Sequence, residues 1–255
     1  MSRVGYIAFN TFKETVRDKV LYNLVLFALL MIGSSYVLGR ISVYQEVKII
    51  KDLGLAAISV FGMVIAIFIG ISLVSKEIEK RTLYSLLPKP ISREQFIFGK
   101  YLGLCLTLLV NVAVMSTGFY LLLFMMGEPF ESGLFKAIGF IYVKLMVLVG
   151  VAILFSTFTS PTLAGLFTGF IYVAGYYSSV LKNFDSIVES DFVPRVTAAA
   201  YYLLPSFKNF DVKAQAVAGA PLPLSQIAWA TAYGLAYVAL VLVASVWIFR
   251  GRNLK

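Results

Sequence analysis

The sequence predicts an all-α polytopic membrane protein. It has six transmembrane helices, an amphipathic N-terminal helix at the membrane interface, a short helix in a charged loop, and a helical segment before the sixth span. Three observations predict this fold. The 255 residues are 60% hydrophobic with a mean hydropathy of +0.86, whereas a soluble domain is about 45–50% apolar. The apolar residues gather into six long runs, each near the roughly 20 residues a helix needs to cross a bilayer. The runs are continuously apolar and lack the two-residue alternation of a barrel strand. The length fits a single transmembrane domain, residues 1–255, with little room for a soluble one.

Residues 1–19 come first. Val4, Ala8, Phe12 and Val16 repeat every fourth position with Ile7 beside them, while Arg3, Asn10, Lys13, Glu14 and Arg17 fall on the other side. This is the pattern of an amphipathic helix lying in the interface, with a plain extension of the first span as the simpler alternative. The charged stretch and the length of the run after it argue against a secretory signal. The spans are expected at 20–38, 55–74, 101–126, 137–158, 161–180 and 227–249. With the N-terminus inside, thirteen of the 22 Lys and Arg residues fall in inner segments and eight in outer ones. The positive-inside bias therefore favours both termini in the cytoplasm. Ser160 and Pro161 read as an N-cap followed by proline in the first helical position, giving a tight turn between spans four and five. Residues 181–226 hold Pro194, Pro205, Pro221, Pro223 and Gly219, yet keep an apolar stretch at 196–204. Short helices packed on the outer end, or dipping into it, are expected there.

Composition excludes several functions. The sequence has no histidine, which removes imidazole catalysis, histidine metal sites and histidine pH switches. The single Cys105 lies in an apolar run and forms no intrachain disulfide. The formal charge of +9 is explained by basic residues at membrane edges, so nucleic acid is not an expected partner.

The loop 75–100 reads S-K-E-I-E-K-R-T-L-Y-S-L-L-P-K-P-I-S-R-E-Q-F-I-F-G-K. Pro88 and Pro90 force the preceding helix to end by about residue 87. Ser92 and Gln95 then form a capping-box pattern that opens the next helix. Between them, 82–87 can form a short helix across the membrane surface. Leu83, Leu86 and Leu87 make its apolar edge, flanked by Glu79, Lys80 and Arg81. These leucines either tuck under the bundle or plug into a groove on a soluble subunit, the i, i+3, i+4 anchor set of helix-in-groove docking.

The run E-K-R-T-L-Y-S-L-L-P-K-P-I-S-R-E-Q-F-I-F-G-K resembles the first cytoplasmic loop of ATP-binding-cassette (ABC) export permeases of the second type. The matching residues are Glu79, Thr82, Leu83, Leu86, Leu87, Pro88, Ser92, Arg93, Gly99 and Lys100, with Arg81 where the family often has glycine. T-F-K-E-T-V-R-D-K-V-L-Y near the start, Y-Y-L-L-P-S-F-K-N-F-D late in the chain and I-F-R-G-R-N-L at its end are similar to the same family. The resemblance implies the six-helix permease fold in the bacterial inner membrane. It makes 82–87 the coupling helix, so that Glu79, Arg81, Thr82, Leu83, Leu86, Leu87 and Pro88 would contact an ABC ATPase subunit. It places re-entrant helices in 181–226 and implies a second permease chain, giving a homo- or heterodimer. ATP and Mg would bind the partner, since no G-x-x-x-x-G-K-[ST] phosphate cradle occurs in these residues. No cofactor is expected on this chain.

No Asp or Glu lies within any expected span, which argues against coupling to protons or sodium ions. Lys144 is the one charge inside a run. It either snorkels outward along its stem or lines a translocation path. Small residues at helical spacing (Gly62, Ala66, Gly70; Gly99, Gly103; Gly165, Gly169; Ala228, Ala232, Ala236) predict close helix packing or a dimer seam. The leading functional reading is the membrane subunit of an ATP-driven exporter. A subunit that transmits ATPase motion to extracytoplasmic machinery is the alternative. A polytopic enzyme lacks the usual convergent acid, base and metal groups.

Overall fold

A computed structural model describes residues 3–41, 45–80, 92–178 and 204–251, with backbone alone for 72–80 and 251. The described elements are α1 (Arg3–Val16), α2 (Lys19–Ile41), α3 (Glu46–Lys80), α4 (Arg93–Met125), α5 (Ser132–Ser156), α6 (Pro161–Tyr176), α7 (Lys213–Val217) and α8 (Leu224–Gly251). A 3-10 turn at Phe207–Phe210 lies between α6 and α7. No strand occurs among the described residues. Five helices contain stretches long and apolar enough to cross a membrane: Lys19–Ile41, Glu46–Ile71, Arg93–Met125, Ser132–Ser156 and Leu224–Arg250. The run expected to cross at 161–180 is different. Its described helix, α6, has 16 residues, about 24 Å at 1.5 Å per residue, and 179–180 lie outside the described residues.

Helix α5 is the axis of the bundle, packed against α3, α4, α6, α7 and α8. It is apolar all round, as a helix with neighbours on every side must be. Phe140, Ile141, Leu145, Leu148, Val149 and Ala152 are all buried. Helix α2 is peripheral. Ala28, Ile32, Ser35 and Gly39 are buried on one side, and Leu26, Phe27, Leu30 and Met31 are exposed on the other. The small residues Gly62 and Gly70 of α3 sit against Leu145 and Ala152 of α5 with no room for a Cβ, so this stripe does bring two helices into close contact. The Ala228, Ala232 and Ala236 stripe of α8 is exposed among the described residues.

Two expectations change at the helix ends. The second span was expected at 55–74, yet α3 begins at Glu46 and stays helical through Lys80. Its 35 residues reach about 52 Å, well beyond a hydrocarbon core of about 30 Å. The charged stretch after 75 is therefore helical at its start. Glu, Ile and Lys form helix readily, and charge marks where the lipid ends rather than where the helix does.

The N-terminal helix forms with Arg3, Asn10, Lys13, Glu14 and Arg17 exposed as expected, but the side that carries Val4, Ile7 and Ala8 packs on protein. Thr11 and Thr15 are buried, while Phe12 and Val16 are half-buried and Phe9 is exposed. Helix α1 packs along the first turns of α4, where Gly99 meets Ile7 and the Val4 carbonyl, and Gly103 meets the Ala8 carbonyl and Thr11. The Thr15 hydroxyl is satisfied by the Thr11 carbonyl at 2.8 Å. The protein-facing stripe thus runs through Ile7, Ala8, Thr11 and Thr15, and Phe9 turns away from it.

At the far end, opposite α1, residues 204–223 pack down between the helices. Phe207, Phe210, Val212, Ala216 and Leu222 are buried. The apolar stretch 196–203, expected to contribute here, lies outside the described residues.

Candidate functional site

At the near end the helical backbone of α3 carries Glu79, whereas Arg81, Thr82, Leu83, Leu86, Leu87 and Pro88 lie outside the described residues. The chain is described again at Ser92, whose extended backbone (φ −69°, ψ 145°) starts α4. The Ser92 hydroxyl accepts the Gln95 amide N–H at 3.3 Å. The return bond of a capping box is not made, since Gln95 Oε1 is buried without a partner. The neighbouring residues have a role the sequence did not show. Arg93 donates to the carbonyls of Phe249 (2.6 Å) and Arg250 (3.0 Å) and stands over the Phe249 ring at 5.6 Å. Glu94 pairs with Arg250, and Phe96 stacks on Phe249 at 6.2 Å. The last carbonyls of a helix lack intrahelical donors and carry partial negative charge. A guanidinium is a good match for them. The first turn of α4 is thereby fastened to the last turn of α8, and α1 is seated on the next turns of α4.

The second constellation is buried. Lys144 sits midway along α5 and is 2% exposed. Its Nζ donates to Ser59 Oγ of α3 at 2.6 Å and to the Tyr172 hydroxyl of α6 at 3.5 Å, and lies 5.7 Å from the centre of the Tyr172 ring. Among the described residues no carboxylate lies within ion-pair distance of it. Snorkelling toward the surface is therefore not what this side chain does. Helix α5 starts at Ser132 rather than 137, which puts Lys144 about 18 Å from its end, and surrounding helices leave it no path outward.

Tyr172 is in turn covered from the far end. The Phe207 ring lies 5.2 Å from the Tyr172 ring. Gly175 lies against the Pro205 carbonyl, where a Cβ would clash, and Gly234 of α8 lies against Val143 and Phe210. Phe210 thus reaches the level of the residue beside Lys144. The segment is held by polar contacts. The Tyr176 hydroxyl donates to Asp211, Lys213 lies 3.7 Å from Asp211, and the Ser206 amide donates to the Tyr233 hydroxyl at 2.9 Å. Ser59 gave only a faint sequence signal, a hydroxyl amid an apolar run. Tyr172 carried no signal that set it apart from the other tyrosines among the 15 of the sequence.

A third charged group was also missed. Lys51 of α3 is 6% exposed and bonds Glu131 at 2.8 Å and Glu128 at 3.4 Å, tying α3 to the α4–α5 connection. Among the described residues no group of three His, Cys, Asp or Glu side chains could hold a metal.

A family model described as "ABC-2 family transporter protein" matches residues 6–254. No curated protein matches the chain. The family match spans nearly the whole sequence, and the chain belongs to the ABC-2 transporter family. Membership makes it a permease subunit rather than an ATPase. It implies an ABC ATPase as partner and a multi-pass position in a membrane.

Proposed function

From this family membership we infer that the chain is the membrane-spanning subunit of an ATP-driven exporter of the cytoplasmic membrane. ATP and Mg bind a separate ATPase subunit, and a second permease chain completes the translocating unit. Both termini and the near end face the cytoplasm, 161–180 is the fifth of six crossings, and 82–87 is the coupling helix. The observation that carries this reading is the fastening of α4. A load applied to the 81–91 connection is delivered at once to α3 and α4. Through the Gly99 and Gly103 seat it reaches α1, and through Arg93 and Glu94 it reaches α8. An ATPase that displaces this connection therefore moves the bundle's inner ends together, which favours alternate opening of the far end. Lys144, buried under the Phe207–Phe210 turn, lines the translocation path in this reading.

The test is association. Leu86→Glu places a charge on the apolar edge expected to enter the ATPase groove. The variant is expected to insert in membranes normally and to lose its ATPase on affinity purification. Undiminished co-purification of the ATPase would remove 82–87 from the interface.

A further inference from the structure

The arrangement around Lys144 has a chemistry of its own. An ammonium has three donors and no acceptor. Here two of its hydrogen bonds go to the neutral hydroxyls of Ser59 and Tyr172. Each hydroxyl accepts from Lys144 and keeps its own proton to donate. Three kinds of donor from three helices, α5, α3 and α6, therefore converge on one point. No carboxylate pairs with this charge among the described residues; the face of the Tyr172 ring meets it in a cation–π contact, and Asp211 of the covering segment acts on it from beyond ion-pair distance. A charge at this depth is costly to bury. The cost is recovered when an anion accepts the three donors together.

The space above the group is closed by a separate piece of chain. The Phe207 ring lies on Tyr172, and Phe210 wedges between α5 and α8 near Val143. The cover is attached by the Tyr176–Asp211 and Ser206–Tyr233 hydrogen bonds and by the Lys213–Asp211 contact. Tyr176 belongs to α6 and Tyr233 to α8, so these bonds join the cover to two helices of the bundle. Asp211 is the acid nearest this cover that both Tyr176 and Lys213 engage, and it leaves with the cover.

We propose that Lys144, Ser59 and Tyr172 form a binding site for an anionic, phosphate-like group of the transported molecule, closed from the far end by the Phe207–Phe210 turn. This rests on the reading that Lys144 lines the path. The Phe207 ring lying on Tyr172 suits an anionic head carried on an apolar body. A cationic amphiphile is repelled.

Binding is measured on the purified full chain in phosphatidylcholine nanodiscs, with radiolabelled dodecyl phosphate and dodecyltrimethylammonium as the two probes and inorganic phosphate as competitor. Measurements run to equilibrium on the wild type and on Asp211→Asn, whose loosened cover speeds exchange. Dodecyl phosphate is expected to saturate at one per chain. Lys144→Met should weaken it at least ten-fold, Lys144→Arg by no more than a few-fold, and Ser59→Ala and Tyr172→Phe by three- to ten-fold each. Competition by millimolar inorganic phosphate identifies the free anion as sufficient. Resistance to it identifies an amphiphile.

Absence of saturable dodecyl phosphate binding in both backgrounds overturns the site, as does equal binding of the cationic probe. Unchanged affinity in Lys144→Met does the same. Should Lys144→Met fail to fold, the two hydroxyl variants decide. The assay needs no ATPase. Lost binding beside a retained ATPase therefore sinks this site alone, while a missing ATPase sinks the exporter reading and leaves the binding result standing.

Discussion

Two of the bundle's buried lysines, Lys51 and Lys144, have opposite surroundings. Lys51 of α3 meets two carboxylates, Glu131 at 2.8 Å and Glu128 at 3.4 Å. Lys144 of α5 meets two hydroxyls and an aromatic face. The first is a closed electrostatic unit, since its acceptors belong to the fold and hold the α4–α5 connection against α3. The second is open. Its charge is tolerated by the fold but not completed by it. Burial alone would have grouped them together, and the partners separate them. A compensated buried charge fixes structure, whereas an uncompensated one has capacity left for a ligand.

The largest expected effect breaks the pair apart by sign. Lys51→Met strands two carboxylates whose side chains are only 25% and 34% exposed. Removing one partner of a buried pair costs about 3–5 kcal/mol. Partial exposure of the carboxylates puts this case near the lower figure, about 3 kcal/mol. Lys144→Met removes a charge with no carboxylate partner and keeps the stem volume, which should stabilise the protein by about 1–2 kcal/mol. Unfolding in increasing sodium dodecyl sulfate, followed by helical circular dichroism, reads both. Destabilisation of similar size in the two variants would mean that Lys144 is also structural, and the contrast would fail.

How far the sequence reveals this contrast depends on what the signal measures. The apolar runs located the crossing helices because length and hydropathy are local properties. Gly62, Gly70, Gly99 and Gly103 announced close packing for the same reason. The partner of a charge is not local. Lys51 was read as part of an outer loop, and Glu128 and Glu131 lie in another connection, so nothing nearby showed that they meet. Lys144 was legible as an anomaly, but its orientation was not, because Ser59 and Tyr172, which hold its Nζ, lie on two other helices. Helix α1 adds a further lesson. Its apolar face, Val4, Ile7, Ala8, Phe12 and Val16, was expected to lie in the membrane interface, whereas Ile7 and the Ala8 carbonyl pack on Gly99 and Gly103 of α4, and Thr11 and Thr15 beside them are buried. Lipid is as apolar as a protein core, so apolar periodicity cannot separate the two, while small and hydroxylated residues mark where helices touch. Of the expected coupling residues, 81–88 lie outside the described residues. The fastening of α4 beside them was illegible because Arg93 acts on carbonyls of the distant Phe249 and Arg250.

A double-mutant cycle sharpens the comparison at intermediate size. Lys51 and Glu131, varied singly to Met and Gln and then together, should show a coupling of about 1.5–3 kcal/mol, as expected for a hydrogen bond between charged groups. Lys144 and Ser59, varied to Met and Ala, should show about 0.6 kcal/mol, typical of a side-chain hydrogen bond within a membrane bundle. Equal couplings would mean that Ser59 completes Lys144 as fully as Glu131 completes Lys51.

The smallest expected effect concerns the cover. Asp211→Asn keeps an oxygen that can accept from Tyr176 but removes the charge that draws Lys213. The loss should be about 0.5–1 kcal/mol, within the range of a weak, partly screened ion pair. Because the cover is a local unit, this energy goes into opening it rather than into global unfolding. Amide hydrogen exchange should therefore accelerate two- to five-fold across 206–217, starting at the Ser206 N–H that Tyr233 accepts. Amides around Lys51 should not change. Acceleration at both places would mean that the far end opens as one piece, so that Lys51 belongs to the moving part and is no longer the static counterpart of Lys144.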